Sequence, residues 1–96
     1  MNIQEAINVS KRAVRRGGVE MFRVKDAIAI VEECRRRGQP ILGIDAFILT
    51  KDATQPVLEH SLDLSTDRDP AKNSHDRALA HLKKLSKDEF WFEIVY

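Results

Sequence analysis

The spacing of apolar residues changes from a helical to a strand period at Gly38-Gln39-Pro40, and this change most constrains the fold. Glycine and proline end the helical pattern before it, which predicts a helix over residues 24–37. Residues 41–49 are rich in strand formers, and residues 55–64 alternate between apolar and polar side chains. Such alternation is typical of a half-buried strand. The sequence therefore predicts a β-hairpin that follows a helix.

The rest of the chain supplies two more helices and one more strand. Apolar stripes predict helices over residues 2–16, ending at Gly17-Gly18, and over residues 74–85. Residues 90–96 are predicted as a C-terminal strand. Ninety-six residues fit one domain. We therefore predict a compact single α+β domain over residues 1–96, in the order ααββαβ, with a three-stranded, mostly antiparallel sheet packed with helices.

Matching the apolar faces of the two hairpin strands predicts their register. Pairing Ala46 with His60 and Ile44 with Leu62 places the apolar side chains of both strands together. The opposite face, extended by the last strand, then carries acidic and aromatic side chains: Asp45, Phe47, Glu59, Asp63, Trp91 and Glu93. Exposed aromatic residues ringed by charge are typical of a binding surface. The alternative is that a helix covers this face and that its aromatic residues belong to the core.

Charge is segregated along the chain, although the whole chain is nearly neutral. Sixteen basic and fifteen acidic residues leave a net charge of +1, which argues against a globally basic nucleic-acid-binding protein. Residues 1–40 carry +4, residues 41–69 carry −4 and residues 70–96 carry +1. An acidic segment steers a protein towards basic partners, and Asp67 in the predicted loop joins the candidate binding residues. Ordinary solvation of a surface hairpin is the alternative.

The sequence lacks the residue patterns of catalysis and of metal binding. The three histidines are 15 and 6 residues apart, and His75 and His81 fall on different faces of one helix. Cys34 lies on an apolar helix face, and a single cysteine excludes a disulfide framework. The glycines do not form a phosphate-binding loop. We therefore predict a non-enzyme with no catalytic residues, no metal, no cofactor and no small-molecule substrate.

The sequence also predicts where the protein resides and how weakly it binds nucleic acid. The first ten residues lack the apolar run of a signal peptide, and no segment approaches the roughly 18 apolar residues of a membrane span. We therefore expect a cytoplasmic protein with no membrane partner. The arginine runs cluster towards predicted helix C-termini, where cations favour the helix dipole. We expect no specific nucleic-acid partner, only weak and salt-sensitive binding.

The helix-to-strand passage resembles a known family. The pattern Gly38-x-Pro40-Ile41-Leu42-Gly43-x-Asp45 is similar to that of immunity-protein family 40 of bacterial polymorphic toxin systems. The resemblance extends over residues 22–95 and departs from the family pattern at Ile44, where a second glycine is usual. It implies an immunity protein that binds a cognate toxin domain and neutralises it by stoichiometric occlusion.

These expectations define the candidate toxin-binding residues, with a nuclease as one class of toxin that the acidic segment suits. The candidates are Asp45, Phe47, Glu59, Asp63, Asp67, Trp91 and Glu93. The alternative function is a small nucleic-acid-associated or regulatory binding module that uses the basic helices.

Overall fold

The computed structural model describes residues 1–65, 70–86 and 89–96, and its elements confirm the α+β class. Within these described ranges, three α-helices and six strands follow one another in the order α1, β1, β2, α2, β3, β4, β5, α3 and β6, with a short 3-10 helix between β4 and β5. Their bounds are Ile3–Arg12, Val14–Arg16, Val19–Met21, Val24–Arg36, Gly43–Leu49, Thr54–Pro56, Leu62–Asp63, Pro70–Lys84 and Trp91–Val95, with the 3-10 helix at Leu58–His60.

Strand β3 is the centre of the main sheet. β6 pairs antiparallel with β3 along one side, and β4 and β5 pair antiparallel with it along the other. The prediction that the hairpin region and the C-terminal strand share one sheet is therefore confirmed. The sheet has four strands instead of three because residues 55–64 do not form a continuous strand.

The 3-10 helix Leu58–His60 interrupts the predicted second hairpin strand. Ile44 does pair with Leu62 as predicted, but the pairing of Ala46 with His60 is wrong. The Ala46 N–H donates instead to the Ser61 hydroxyl, which in turn donates to the Val57 carbonyl. A side-chain hydroxyl thus replaces a backbone partner where the strand breaks.

The first helix is also shorter than predicted. It ends at Arg12, and the next residues form a small hairpin in which β1 pairs antiparallel with β2. Gly17 and Gly18 have positive φ angles of 57° and 81° and form the hairpin turn instead of a helix stop. Two successive positive φ angles suit the tight turns that join antiparallel strands.

Helices α2 and α3 cover one face of the main sheet and complete the core. Ile44, Ala46 and Phe92 are fully buried on that face, and Leu82 of α3 packs in the same cluster. The Ile41 N–H donates to the buried Ser74 hydroxyl at 3.0 Å, which ties the entry of β3 to α3. The other face of β3 and β6 is therefore left to the polar and aromatic side chains.

Polar contacts of Arg12 and of the N-terminus tie α1 to α2, and Val9 packs in the core. Arg12 donates two hydrogen bonds of 2.8 Å to the buried carboxylate of Asp26 in α2, and the Met1 ammonium group lies 2.7 Å from Glu33. Val9 is its buried residue, whereas the predicted stripe leaves Ile3 exposed. No helix among the described residues is long and apolar enough to cross a membrane.

Candidate functional site

Four candidate side chains lie together on the face of the sheet opposite α2 and α3, which we call the outer face. It consists of Asp45 and Phe47 of β3 and of Trp91 and Glu93 of β6. Asp45 pairs directly with Glu93, and Phe47 pairs with Trp91. All four side chains are half-buried, so each remains accessible from solvent. The register sets a carboxyl row beside an aromatic row, because successive residues of one face are two positions apart.

The aromatic row is fixed by a neighbouring arginine. The Arg23 guanidinium lies 4.3 Å from the centroid of the Trp91 ring and donates a hydrogen bond of 2.6 Å to the Glu89 carbonyl. A cation over an indole face is attracted by the ring quadrupole. Arg23 therefore orients Trp91 and adds a positive charge at the aromatic end of the outer face.

The carboxyl row places two acids directly opposite each other. Burial raises the pKa of Glu93, and its hydrogen bond with Asp45 and the charge of Asp45 raise it further. Like charges on directly opposed residues of neighbouring strands destabilise a sheet. A cation brought to this row would relieve the repulsion, so the row is an electrostatic site for a basic group.

A groove at Gly43 continues the carboxyl row towards β5. The groove encloses about 350 Å³, and Asp45, Asp63 and Val95 are among its lining residues. Asp63 accepts hydrogen bonds from the Ser65 N–H at 2.9 Å and from the Ser65 hydroxyl at 2.6 Å, and these bonds lower its pKa. Asp63 therefore stays anionic at the edge of the groove, which is open at Gly43 because glycine has no side chain.

The remaining two candidate residues are not part of this surface. Glu59 lies exposed in the 3-10 helix, so its predicted place on the acidic and aromatic face of the sheet is wrong, and Pro56 is the residue that pairs with Phe47. The interruption of the strand by Leu58–His60 is the reason for the difference. Asp67 lies outside the described residues.

Sequence reasoning missed two features that border the outer face. The β1–β2 hairpin reaches the turn between β3 and β4, where Arg16 donates to the Ala53 carbonyl at 2.9 Å. The apolar side chain of Leu58 is 83% exposed in the 3-10 helix, although residues 55–64 alternate in the way of a half-buried strand. The signal for the hairpin was present in Gly17-Gly18, which follows a short segment with Val14 and precedes one with Val19 and fits a hairpin turn as well as a helix stop.

Many of the arginines predicted to favour helix ends form ion pairs within the chain. Arg12 binds Asp26, Arg35 binds Asp76, and both Arg36 and Arg37 bind Glu33. The hydrogen bond from Arg36, followed by that of the terminal ammonium group, holds the pKa of Glu33 far below its usual range. These pairs compensate much of the positive charge of the helical side.

The histidines and the cysteine have structural contacts. His75 Nε2 lies 2.6 Å from the Gln39 carbonyl oxygen, and His81 Nε2 lies 2.5 Å from the His60 carbonyl oxygen. Cys34 is buried, and burial raises the pKa of its thiol. Within residues 1–65, 70–86 and 89–96, no three His, Cys, Asp or Glu side chains are grouped so that they could hold a metal ion.

No protein-family model, curated protein or solved structure matches this chain. The resemblance to immunity-protein family 40 therefore stays a prediction from the sequence. The geometry of the outer face has to carry the functional argument.

Proposed function

We propose that this chain is an immunity protein that binds a cognate bacterial toxin domain and neutralises it by stoichiometric occlusion. One observation carries the proposal: the outer face joins the opposed carboxyls of Asp45 and Glu93 to the aromatic pair Phe47 and Trp91. Aromatic anchors beside charged groups are typical of protein-binding surfaces. The resemblance of residues 38–45 to the immunity family points to the same function.

Charge complementarity favours a basic toxin surface as the partner. Asp45, Asp63 and Glu93 lie on or beside the groove at Gly43 and present carboxyl groups to solvent. Toxin domains that cleave nucleic acid need basic clefts, and an acidic protein surface can occupy such a cleft in place of the polyanion. Complementary potentials also accelerate encounter between the two proteins.

The nucleic-acid-associated module is the weaker candidate. It would use the basic helices, but Arg12, Arg35 and Arg36 are engaged by carboxylates of the same chain. Phosphate binding would have to compete with these ion pairs. We therefore expect nucleic-acid affinity to be weak and strongly dependent on salt.

The proposal is tested with a toxin domain that is sought in the gene directly upstream, because an immunity gene normally follows the gene of its toxin. Coexpression of this chain should restore growth of cells that produce that domain, and calorimetry should give a one-to-one complex. Trp91→Ala should mainly speed dissociation, because truncation of a central aromatic anchor costs about 2 kcal/mol or more. Asp63→Asn should instead slow association and flatten its salt dependence.

Asp52→Asn is the matched control, because Asp52 is exposed in the same acidic segment but lies in the β3–β4 turn. Circular dichroism verifies that each variant is folded. If the toxin domain neither binds nor is neutralised, the proposal is wrong. If it binds and the Trp91 and Asp63 variants keep wild-type kinetics, the interface lies away from these residues, and Arg12 of α1 and Arg15 and Arg16 of β1 are the next residues to change.

A further inference from the structure

The edge of β6 that faces away from β3 is paired at one residue and then continues unpaired. The N–H and C=O of Phe92 exchange hydrogen bonds of 2.7 Å and 2.8 Å with Phe22 in an isolated bridge. Backbone groups two residues apart in a strand point to the same side, so those of Ile94 point away from β3 as well. Among the described residues, no backbone partner continues the pairing from Phe22 to Ile94.

A cleft opens at this unpaired edge. It encloses about 460 Å³, within the roughly 300–1,000 Å³ typical of ligand-binding clefts. Helix α1 forms one wall and the β1–β2 hairpin forms another. The lining residues that matter here are Ala6, Val9, Gly18, Glu20, Glu93 and Ile94. Within the part of the chain that the structure describes, the backbone groups of Ile94 have no partner, and the carboxyl groups of Glu20 and Glu93 line the same cleft.

These features fit an extended peptide better than a compact ligand. A strand laid along the edge would exchange backbone hydrogen bonds with Ile94, which is the mode of β-strand addition. The residue of the added strand that lies opposite Val95 would be a diagonal neighbour of Glu93. A long side chain at that position could reach the Glu93 carboxyl group. Lysine or arginine at that position would place a cation next to the opposed carboxyls of Asp45 and Glu93.

We propose that the edge of β6 at Ile94 binds an extended, basic segment of the partner protein as an added β-strand. The inference rests on the proposed function, because it assigns this segment to the toxin domain that covers the outer face. Glu93 belongs to both surfaces, since it lies on the outer face and lines the cleft. One partner could therefore contact the outer face and the edge of β6 at the same time.

The edge is tested first with peptides, independently of any toxin. A blocked pentapeptide that alternates valine with lysine and arginine is titrated into the ¹⁵N-labelled protein, and amide exchange is followed by NMR. We expect the Ile94 amide to exchange at least tenfold more slowly at saturation, while the Glu93 amide, already paired with β3, changes little. A matched peptide with glutamate and aspartate should leave both rates unchanged. Equal effects of the two peptides, or no effect of either, would overturn the inference.

Variants of α1 test the cleft itself. Ala6→Phe introduces a bulky side chain at an exposed cleft position of α1 and should weaken the basic peptide at least tenfold. Gln4→Phe adds the same ring to an exposed α1 residue that does not line the cleft, so its affinity should stay at the wild-type value. Equal affinities for both variants would place the peptide elsewhere and contradict the inference.

The toxin complex separates this inference from the proposed function. Binding of the toxin domain with protection of the Ile94 amide supports both. Binding without that protection refutes strand addition and leaves the immunity function standing. Protection by the basic peptide with no binding of the toxin domain refutes the immunity function, and the edge then remains a site for a basic strand of a different partner.

Discussion

Replacement of Gly43 by alanine tests the packing that forms the groove of the outer face. An alanine Cβ at this position would lie 2.9 Å from the Leu62 carbonyl oxygen, which is a backbone atom. That atom belongs to the residue that pairs with Ile44, next to the pair of Gly43 with Asp63. The clash therefore cannot be relieved by rotation of a side chain. It has to move β5 relative to β3.

The magnitude follows from two opposing effects. Gly43 has no positive φ, so alanine would ordinarily stabilise the fold by about 0.4–1 kcal/mol through the unfolded chain. Overpacking at a contact that cannot yield costs about 1–3 kcal/mol. We therefore expect Gly43→Ala to lower the free energy of unfolding by roughly 0.5–2 kcal/mol.

Urea denaturation followed by tryptophan fluorescence measures this change. With a urea m value of about 1–3 kcal/mol/M, the midpoint should fall by about 0.2–2 M. Leu42→Ala is the control, because Leu42 is adjacent and 39% exposed, and its midpoint should fall less. A Gly43→Ala midpoint equal to or above that of the wild type would refute the close approach of β5 to β3.

Further predictions concern the carboxyl row, the attachment of α1 and the core. Burial and Asp45 raise the pKa of Glu93 in the folded protein. The contribution of Glu93 to the free energy of unfolding is therefore most favourable below the ordinary pKa of 4.5, and it is lost as the pH rises through the pKa of the folded state. Glu93→Gln should therefore raise the thermal midpoint at pH 7 and leave it unchanged at pH 3. A larger gain at pH 3 than at pH 7 would contradict the raised pKa of Glu93. Arg12→Met should lower the midpoint by leaving the Asp26 carboxylate buried without its cation, and the added change Asp26→Asn should recover part of that loss; purely additive effects would contradict the pairing. Leu82→Ala should cost about 2–5 kcal/mol in urea denaturation because Leu82 is fully buried, and a loss below about 1 kcal/mol would place it outside the core.

The sequence predicted secondary structure and strand register correctly where one periodic apolar pattern runs through a whole helix or strand. The predicted helix over residues 24–37 agrees within one residue with α2, because Gly38 adopts a positive φ of 70° where the helix ends. The C-terminal strand and its pairing face follow from alternation alone, since Phe92 and Ile94 are buried and Glu93 is not. Matching of apolar faces also gave the pairing of Ile44 with Leu62.

The predictions failed where a single residue changes the backbone. The Ser61 hydroxyl takes the place of a backbone partner where part of the alternating segment forms a 3-10 helix, and periodicity carries no information about such a replacement. Gly17-Gly18 stops a helix and forms a hairpin turn with equal ease. Tertiary contacts decide between the two: Arg16 binds the Ala53 carbonyl from the hairpin, and neither residue signals this partner in the sequence.

The motif behind the family resemblance, residues 38–45, contains residues that the fold itself requires and one residue that it does not. Gly38 is needed for its positive φ, Gly43 for the approach of Leu62, and Ile44 is fully buried in the core. Packing and backbone geometry therefore account for these residues without any function. Asp45 differs, because it lies opposite Glu93 at an electrostatic cost that an uncharged residue would avoid. Proteins tend to break local rules of stability at functional sites, so the binding hypothesis is concentrated on this carboxyl pair.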